Sequence, residues 1–349
     1  MNRIKQLAYI RTAAAIGLSL LFAITLIIFV SSSPLESIRL FLLGPLQSQR
    51  HIGNVIEAAI PLVFSGIAVS ILFQAGLFNL GSEGVFYFSG LTAAIVGIVF
   101  VLPLAVHPFI AIAAGMILGS LVMLIIGFFK AKLNTSELVM SLMFNNILFG
   151  IGLFIVNHYF REINTVVLRT PSFSETARLA VIISGTRIHS GLIAAIFVVV
   201  FAHFFLYYTT CGYELRMTGK NAHFAKYSGI SITKTILISS AAAGAIAGMG
   251  GAIEVLGMYR SFVWTHLPGL GFDGALIAIL ANNKPKNVIF SALFLAYVRI
   301  GADMMSRMTD VPSQMISIMQ GLIILLISGH KFMQFYKNRL LMKEARSSE

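Results

Sequence analysis

The chain has one cysteine among 349 residues, Cys211, so no disulfide can form within it. It has only three aspartates, Asp273, Asp303 and Asp310. Gly269-Leu270-Gly271-Phe272-Asp273 comes near the turn of an intramembrane aspartyl protease, but the spacing is off by one and no second apolar segment holds a partner aspartate. There is no H-E-x-x-H, and the eight histidines are scattered without metal-ligand spacing. A P-loop is missing as well. Gly219-Lys220 is followed by Asn221 where a hydroxyl is needed, and Glu214 stands where the first glycine should be. The chain therefore has no catalytic set, no metal site and no means of using ATP by itself. Charged residues are scarce, at 11%, against about a quarter in soluble domains.

What is abundant is apolar sequence, at 57% of residues. This is an integral membrane protein. The net charge of +12 comes without basic–aromatic interleaving or a nucleic-acid motif. Its basic residues cluster in short loops, so the charge is read as orientation in the membrane. About 20 apolar residues cross a bilayer as a helix. On that scale spans fall at 12–30, 54–74, 84–102, 108–129, 137–157, 190–208, 235–257, 271–281, 287–302 and 313–330. The first is longer than a signal-peptide core and no A-x-A site follows, so it is read as a retained span. The eighth is too short to cross as a straight helix. Leu35–Leu43 reads as an amphipathic piece in the outer interface. With both termini inside, sixteen of the 25 Lys and Arg residues fall on the inner side, and segments 130–134, 216–234 and 331–346 share it.

Leu80-Gly81-Ser82-Glu83-Gly84 resembles Leu270-Gly271-Phe272-Asp273-Gly274. The stretch Ser136–Met143 resembles Ser313–Gln320, in the same order. Five spans per repeat is odd, so the halves face opposite ways, as in transporters whose path lies at the repeat interface. The fold expected is all-α: about ten transmembrane helices in two inverted five-helix repeats, 12–157 and 190–330, some helices broken, forming a single transmembrane domain over 1–349. Glu83 and Asp273 are then expected near opposite membrane faces, each at the start of its own helix.

Polar residues at membrane depth are costly and usually face a bundle interior or a cavity. Gln74, Asn79, Glu83, Asn145, Asn146, Asp273 and Gln320 are the candidates for a substrate pathway. Glu57, Glu254, Asn282 and Asn283 also lie in or at the ends of spans. For the two acids three readings stand side by side: capping of a broken helix, pathway lining, and binding of a coupling ion.

The longest inner polar run is Gly212–Ile230. Its middle, Gly219 to Tyr227, can form about two and a half helical turns. Gly219 and Gly229 bracket it as breakers, and Ala222, Ala225 and Lys226 give it a small smooth face. It reads as a docking knob or as an ordinary solvated basic loop.

These elements together carry a family resemblance. Gly76–Gly84, Gly269–Gly274, Asn282-Asn283-Lys284-Pro285, Gly219-Lys220-Asn221 and Ala225–Ile230 resemble permease subunits of bacterial ABC importers. The family serves ribose and other simple sugars, nucleosides and branched-chain amino acids. The first two elements point to its nucleoside and simple-sugar branch. The resemblance covers about 50–330, with departures at Val85 and Ala281. It implies a transport subunit, not an enzyme, in the bacterial cytoplasmic membrane. Its partners would be a second related permease, a cytosolic ABC ATPase, an extracytoplasmic substrate-binding lipoprotein and membrane lipid, with no nucleic acid. ATP and Mg2+ would sit on the ATPase, and no cofactor on this chain. Residues 209–234 would be the cytosolic coupling loop, with Gly219, Asn221, Ala222, Ala225, Lys226, Tyr227, Gly229 and Ile230 at the ATPase, and 331–349 a cytosolic tail. Two other classes stay open: an ion-coupled secondary transporter working alone, and a non-transporting scaffold subunit.

Overall fold

The computed structural model describes residues 17, 21, 22, 24–163, 165–312, 318 and 321. About half of the first expected span, nearly all of the tenth, Gln320 and the 331–349 tail lie outside the described residues. Among those described, all regular elements are helical apart from an isolated bridge, Val181–His189. We number the helices α1 (Pro34–Leu43), α2 (Gln49–Gln74), α3 (Ser82–Val99), α4 (His107–Leu133), α5 (Glu137–Tyr159), α6 (Gly191–Tyr208), α7 (Thr210–Lys220), α8 (Ala222–Tyr227), α9 (Ile232–Met258), α10 (Leu270–Leu280) and α11 (Pro285–Met308). Seven of them, α2 to α6, α9 and α11, are long and apolar enough to cross a membrane, and α10 is a shorter apolar helix. Each matches an expected span to within six residues at either end, because run length in apolar sequence is the strongest signal a membrane chain carries.

Two compact units divide the chain, residues 1–55 with 295–349 and residues 56–294. In the first, α1 buries Ser37, Leu40 and Phe41. Ser31 Oγ and the Ser32 backbone N–H donate to the two carboxylate oxygens of Asp310, at 2.8 and 2.7 Å. These bonds hold the Asp310 carboxyl down at about 2. The Tyr297 hydroxyl donates to the Leu42 carbonyl.

The second unit is built around α9, which packs most extensively on α4 and then on α3. Glycines set the α4–α9 spacing. Gly115 and Gly119 of α4 meet Gly248 and Gly244 of α9, and Gly127 meets Ser240. Small residues four apart let two backbones approach, and dispersion between them replaces the hydrophobic drive that lipid cannot supply. The order of contacts makes α4 antiparallel to α9. The same reading makes α3 antiparallel to α4, since Gly81 meets Met123 and Ile126 while Gly119 meets Val85. α5 runs parallel to α3, since Gly84 meets Asn145 and Gly152 meets Tyr87.

Residues 165–190 fold across one end of this unit. Phe262 N–H donates to Thr170 Oγ at 3.0 Å, Phe173 N–H to the Arg260 carbonyl at 3.1 Å and Ser174 N–H to the Gly97 carbonyl at 2.9 Å. Beneath it Tyr87 packs edge-to-face on Phe149 and Phe262, 5.3 and 5.4 Å between ring centroids.

A leucine at Gly244 should break the α4–α9 seam. A Cβ there collides with the Gly119 carbonyl and comes within 2.6 Å of the Met123 Cβ. Gly244→Leu is expected to cost at least about 1–3 kcal/mol, read as a lower melting temperature in detergent. Gly150→Ala, with nothing within 4 Å of the new carbon, is the control. Equal melting of the two variants would contradict this packing.

Candidate functional site: two acid–glycine turns and a coupling segment

The chain between α2 and α3 is held from α5. Ser141 Oγ accepts the Leu80 N–H at 3.1 Å. Asn145 Nδ2 donates to the Leu80 carbonyl at 3.1 Å, and its Oδ1 accepts the Gly84 N–H at 2.9 Å. Asn79 Oδ1 accepts the Gly81 N–H at 2.7 Å, an Asx turn two residues on. A Cβ at Gly84 would stand 2.7 Å from the Asn145 Cα, so this close approach requires glycine. Asn79 and Asn145, both 2% exposed, are thus spent on fixing the start of α3.

That start aims Glu83 at the N-terminus of α10. Glu83 Oε1 accepts the Gly269 N–H at 2.6 Å, and Oε2 accepts those of Gly271 at 2.7 Å and Phe272 at 3.2 Å. A helix leaves its first N–H groups without intrahelical partners, and its N-terminal end is partly positive. A carboxylate answers both demands with charge-assisted bonds. Gly269, at φ +78, turns the chain into α10, and a Cβ at Gly271 would collide with the Glu83 backbone. Asp273 lies one turn into α10, 6% exposed.

The expectation that Glu83 and Asp273 sit near opposite membrane faces is therefore corrected: the two turns meet. Nor does Glu83 cap its own helix; it caps the helix of the other turn. The two helices leave this meeting point in opposite directions. α2 runs alongside α10, with Ser65 at Gly271 and Gly274, Gly66 at Ile277 and Gln74 at Asn283. The end of α2 meets Gly219 of α7, beside the start of α9, so α10 points toward that start. α3 runs parallel to α9 and away from it.

Gln74, the last residue of α2, donates from Nε2 to the Asn283 carbonyl at 2.8 Å and toward the Tyr207 hydroxyl at 3.4 Å. Asn146 is exposed in the middle of α5, and its Nδ2 donates to the Leu142 carbonyl one turn back at 3.0 Å. The structure brings Asn79, Glu83, Asn145 and Asp273 together, and leaves Gln74 and Asn146 apart from them. Ser141 and Ser65 were missed by the sequence reading. The Ser141–Asn145 pair, four apart on one face of an apolar helix, carried a signal; Ser65 carried none. A second pair of buried acids, Glu57 and Glu254, 4% and 9% exposed, lies within electrostatic reach of each other and of Tyr259. Among the described residues no group of three His, Cys, Asp or Glu side chains could hold a metal.

The polar run after α6 is two helices, not one. Thr209 Oγ1 caps α7 through the Gly212 N–H at 3.0 Å, and Asn221 Oδ1 caps α8 through the Phe224 N–H at 3.0 Å. The break thus falls at Asn221 rather than at Gly219, which lies inside α7. Gly229, at φ +81, ends α8, with Ile230 N–H on the Ala225 carbonyl at 3.0 Å. Ala225 is a second correction. It is fully buried, facing the chain's own body rather than outward. Ala222, His223, Lys226, Phe224 and Tyr227 are exposed, the last two at 53% and 93%.

Glu83→Gln tests the cross-cap. The amide has one acceptor oxygen for three N–H groups and turns its own N–H toward at least one of them. Loss of a charged bond of this kind costs roughly 1.5–3 kcal/mol. A matching drop in thermal stability is expected, with no drop for Glu36→Gln at an exposed position. Wild-type melting of Glu83→Gln would refute the cap.

The model of one family, described as "branched-chain amino acid transport system / permease component", matches residues 51–328. The chain is 32% identical to the guanosine ABC transporter permease protein NupP of Bacillus subtilis, over 84% of this chain and 86% of that protein. It is 27% identical to the nucleoside ABC transporter permease protein NupB of Lactococcus lactis, over 82% and 81%. It is also 27% identical to the glucose ABC transporter permease protein TsgB13 of Haloferax volcanii, over 89% and 84%. No solved structure matches. With most of its length matched and seven apolar helices of spanning length, the chain is a multi-pass membrane protein and belongs to the branched-chain amino acid transport system permease family.

Proposed function

We propose that this chain is the membrane subunit of an ABC importer for nucleosides. The observation that carries the reading is the match to the guanosine permease NupP over most of both chains. NupB and NupC, two nucleoside ABC transporter permeases of one bacterium, both match this chain, which favours a second, related permease as partner. The remaining partners are a cytosolic ATPase that holds ATP and Mg2+, and an extracytoplasmic lipoprotein that supplies ligand affinity.

In this reading α7 and α8 are the coupling segment. The docking face is the exposed one, Ala222, Lys226, Phe224 and Tyr227, with Ala225 anchoring α8 from behind. Both termini are cytosolic. The meeting of α3 and α10, N-terminus to N-terminus and running apart, supports two inverted halves joined near the midplane. Asn79, Glu83, Asn145 and Asp273 build that joint, and the pathway itself falls to residues such as Asn146, polar and exposed at membrane depth, and to Gln320.

Cells carrying the permease with its ATPase and lipoprotein should take up labelled guanosine. Excess unlabelled nucleoside should abolish the uptake and glucose should not. Competition by glucose instead would move the ligand to the sugar side, where the TsgB13 match points.

Orientation and docking can be read at one position. In a Cys211→Ser background, Tyr227→Cys should react with an impermeant thiol reagent in inside-out vesicles and not in intact cells. Bound ATPase should slow the reaction by about tenfold. Labelling of intact cells would reverse the topology, and unslowed labelling would remove α8 from the ATPase interface.

A further inference from the structure

One residue at the end of α2, Gln74, touches α6, α7 and the turn that follows α10. Gln74 closes α2. Its backbone carbonyl lies directly against Gly219 of α7, where a Cβ would collide with it, so the two backbones are in contact with nothing between them. Its side chain makes two further contacts. Nε2 donates to the Asn283 carbonyl at 2.8 Å and toward the Tyr207 hydroxyl of α6 at 3.4 Å, so each of its two hydrogens has an acceptor. The Tyr207 ring in turn lies 4.8 Å beneath the Arg216 guanidinium of α7.

The acceptor on the far side is an unusual one. Asn282 and Asn283 both have left-handed backbones, at φ 55 and 56. Two such residues in succession are held by their surroundings rather than by preference. Asn283 N–H donates to the Ala278 carbonyl at 2.8 Å and Asn282 N–H to Ile279 at 3.1 Å, which closes α10 and presents the Asn283 carbonyl to Gln74. α10 is only 11 residues, about 16 Å long. Glu83 grips one end and Gln74 the other. Between them Ser65, Gly66 and Val69 of α2 lie along it. A rod fixed at both ends transmits a displacement instead of absorbing it.

We propose that Gln74 is a positioning residue for transport, tying the coupling segment to α10 and through it to the Glu83 cap. The inference rests on the importer reading given above. A shift of α7 pushes on the Gln74 carbonyl at Gly219 and pulls on Tyr207 through Arg216. Both displacements reach the Asn283 turn through one side chain.

The test uses the full assembly of permeases, ATPase and lipoprotein in proteoliposomes, and reads guanosine taken up per ATP hydrolysed. Gln74→Met keeps the volume and removes both donors. It should co-purify with the ATPase and hydrolyse ATP within about twofold of wild type, while uptake per ATP falls about tenfold. Tyr207→Phe should lower the ratio less, and the double variant should be no worse than Gln74→Met alone. An unchanged ratio in Gln74→Met would overturn the proposal. So would a parallel loss of uptake, hydrolysis and co-purification, which is what a merely structural role produces. Should Gln74→Met fail to accumulate, Gln74→Asn, too short to span both acceptors, decides by the same ratio. A wild-type assembly that transports some other ligand defeats the nucleoside reading alone, and the ratio measured with that ligand still decides on Gln74.

Discussion

A buried carboxylate holding three backbone N–H groups of another helix is the interaction on which the second unit depends. Glu83 is fully buried, and an acid at that depth is tolerated only if its charge is answered. The answer comes from the start of α10, which in an apolar surrounding has N–H groups of its own to satisfy. Each group would be expensive alone, and the pairing removes both costs at once. It also explains why glycine stands at 269 and 271: the first turns the chain at positive φ, and the second leaves room for the Glu83 backbone. Ser141, Asn79 and Asn145 then hold the turn that aims Glu83.

Around this joint the molecule places stiff, close-packed helices on one side and a short rod on the other. The α4–α9 seam is glycine against glycine and leaves little room to slide. α10 is short, capped at one end by Glu83 and bound just past the other by Gln74, whose side chain donates to the Asn283 carbonyl. A machine driven by a separate ATPase needs both parts: a body that does not deform and an element that moves as a unit. α8 has two faces likewise: Phe224 and Tyr227 are exposed, and Ala225 is buried against the chain's own body.

The helices were legible because apolar run length is a one-dimensional signal, and the described helices of spanning length begin and end within six residues of where they were expected. The two acid–glycine turns were legible as similar stretches. Their relation was not, since nothing local in Glu83 says that its acceptors serve N–H groups 186 to 189 residues away. Asn79 and Asn145 were found as polar residues at depth, but whether such a residue lines a path or clamps a turn depends on what faces it. In the polar stretch after α6 the flanking glycines carry the stronger local signal, but the break between α7 and α8 falls at Asn221, whose side chain caps α8. The small size of Ala225 was consistent with docking and with burial alike, and the structure chose burial.

The most direct measurement of the central claim is amide hydrogen exchange in the wild-type protein at the start of α10. If the Glu83 carboxylate accepts from Gly269, Gly271 and Phe272, these three N–H groups exchange slowly, at rates like those of α10's interior, although none of them has a partner within its own helix. Exchange of all three as fast as that of the neighbouring residues 265–267 would contradict the account.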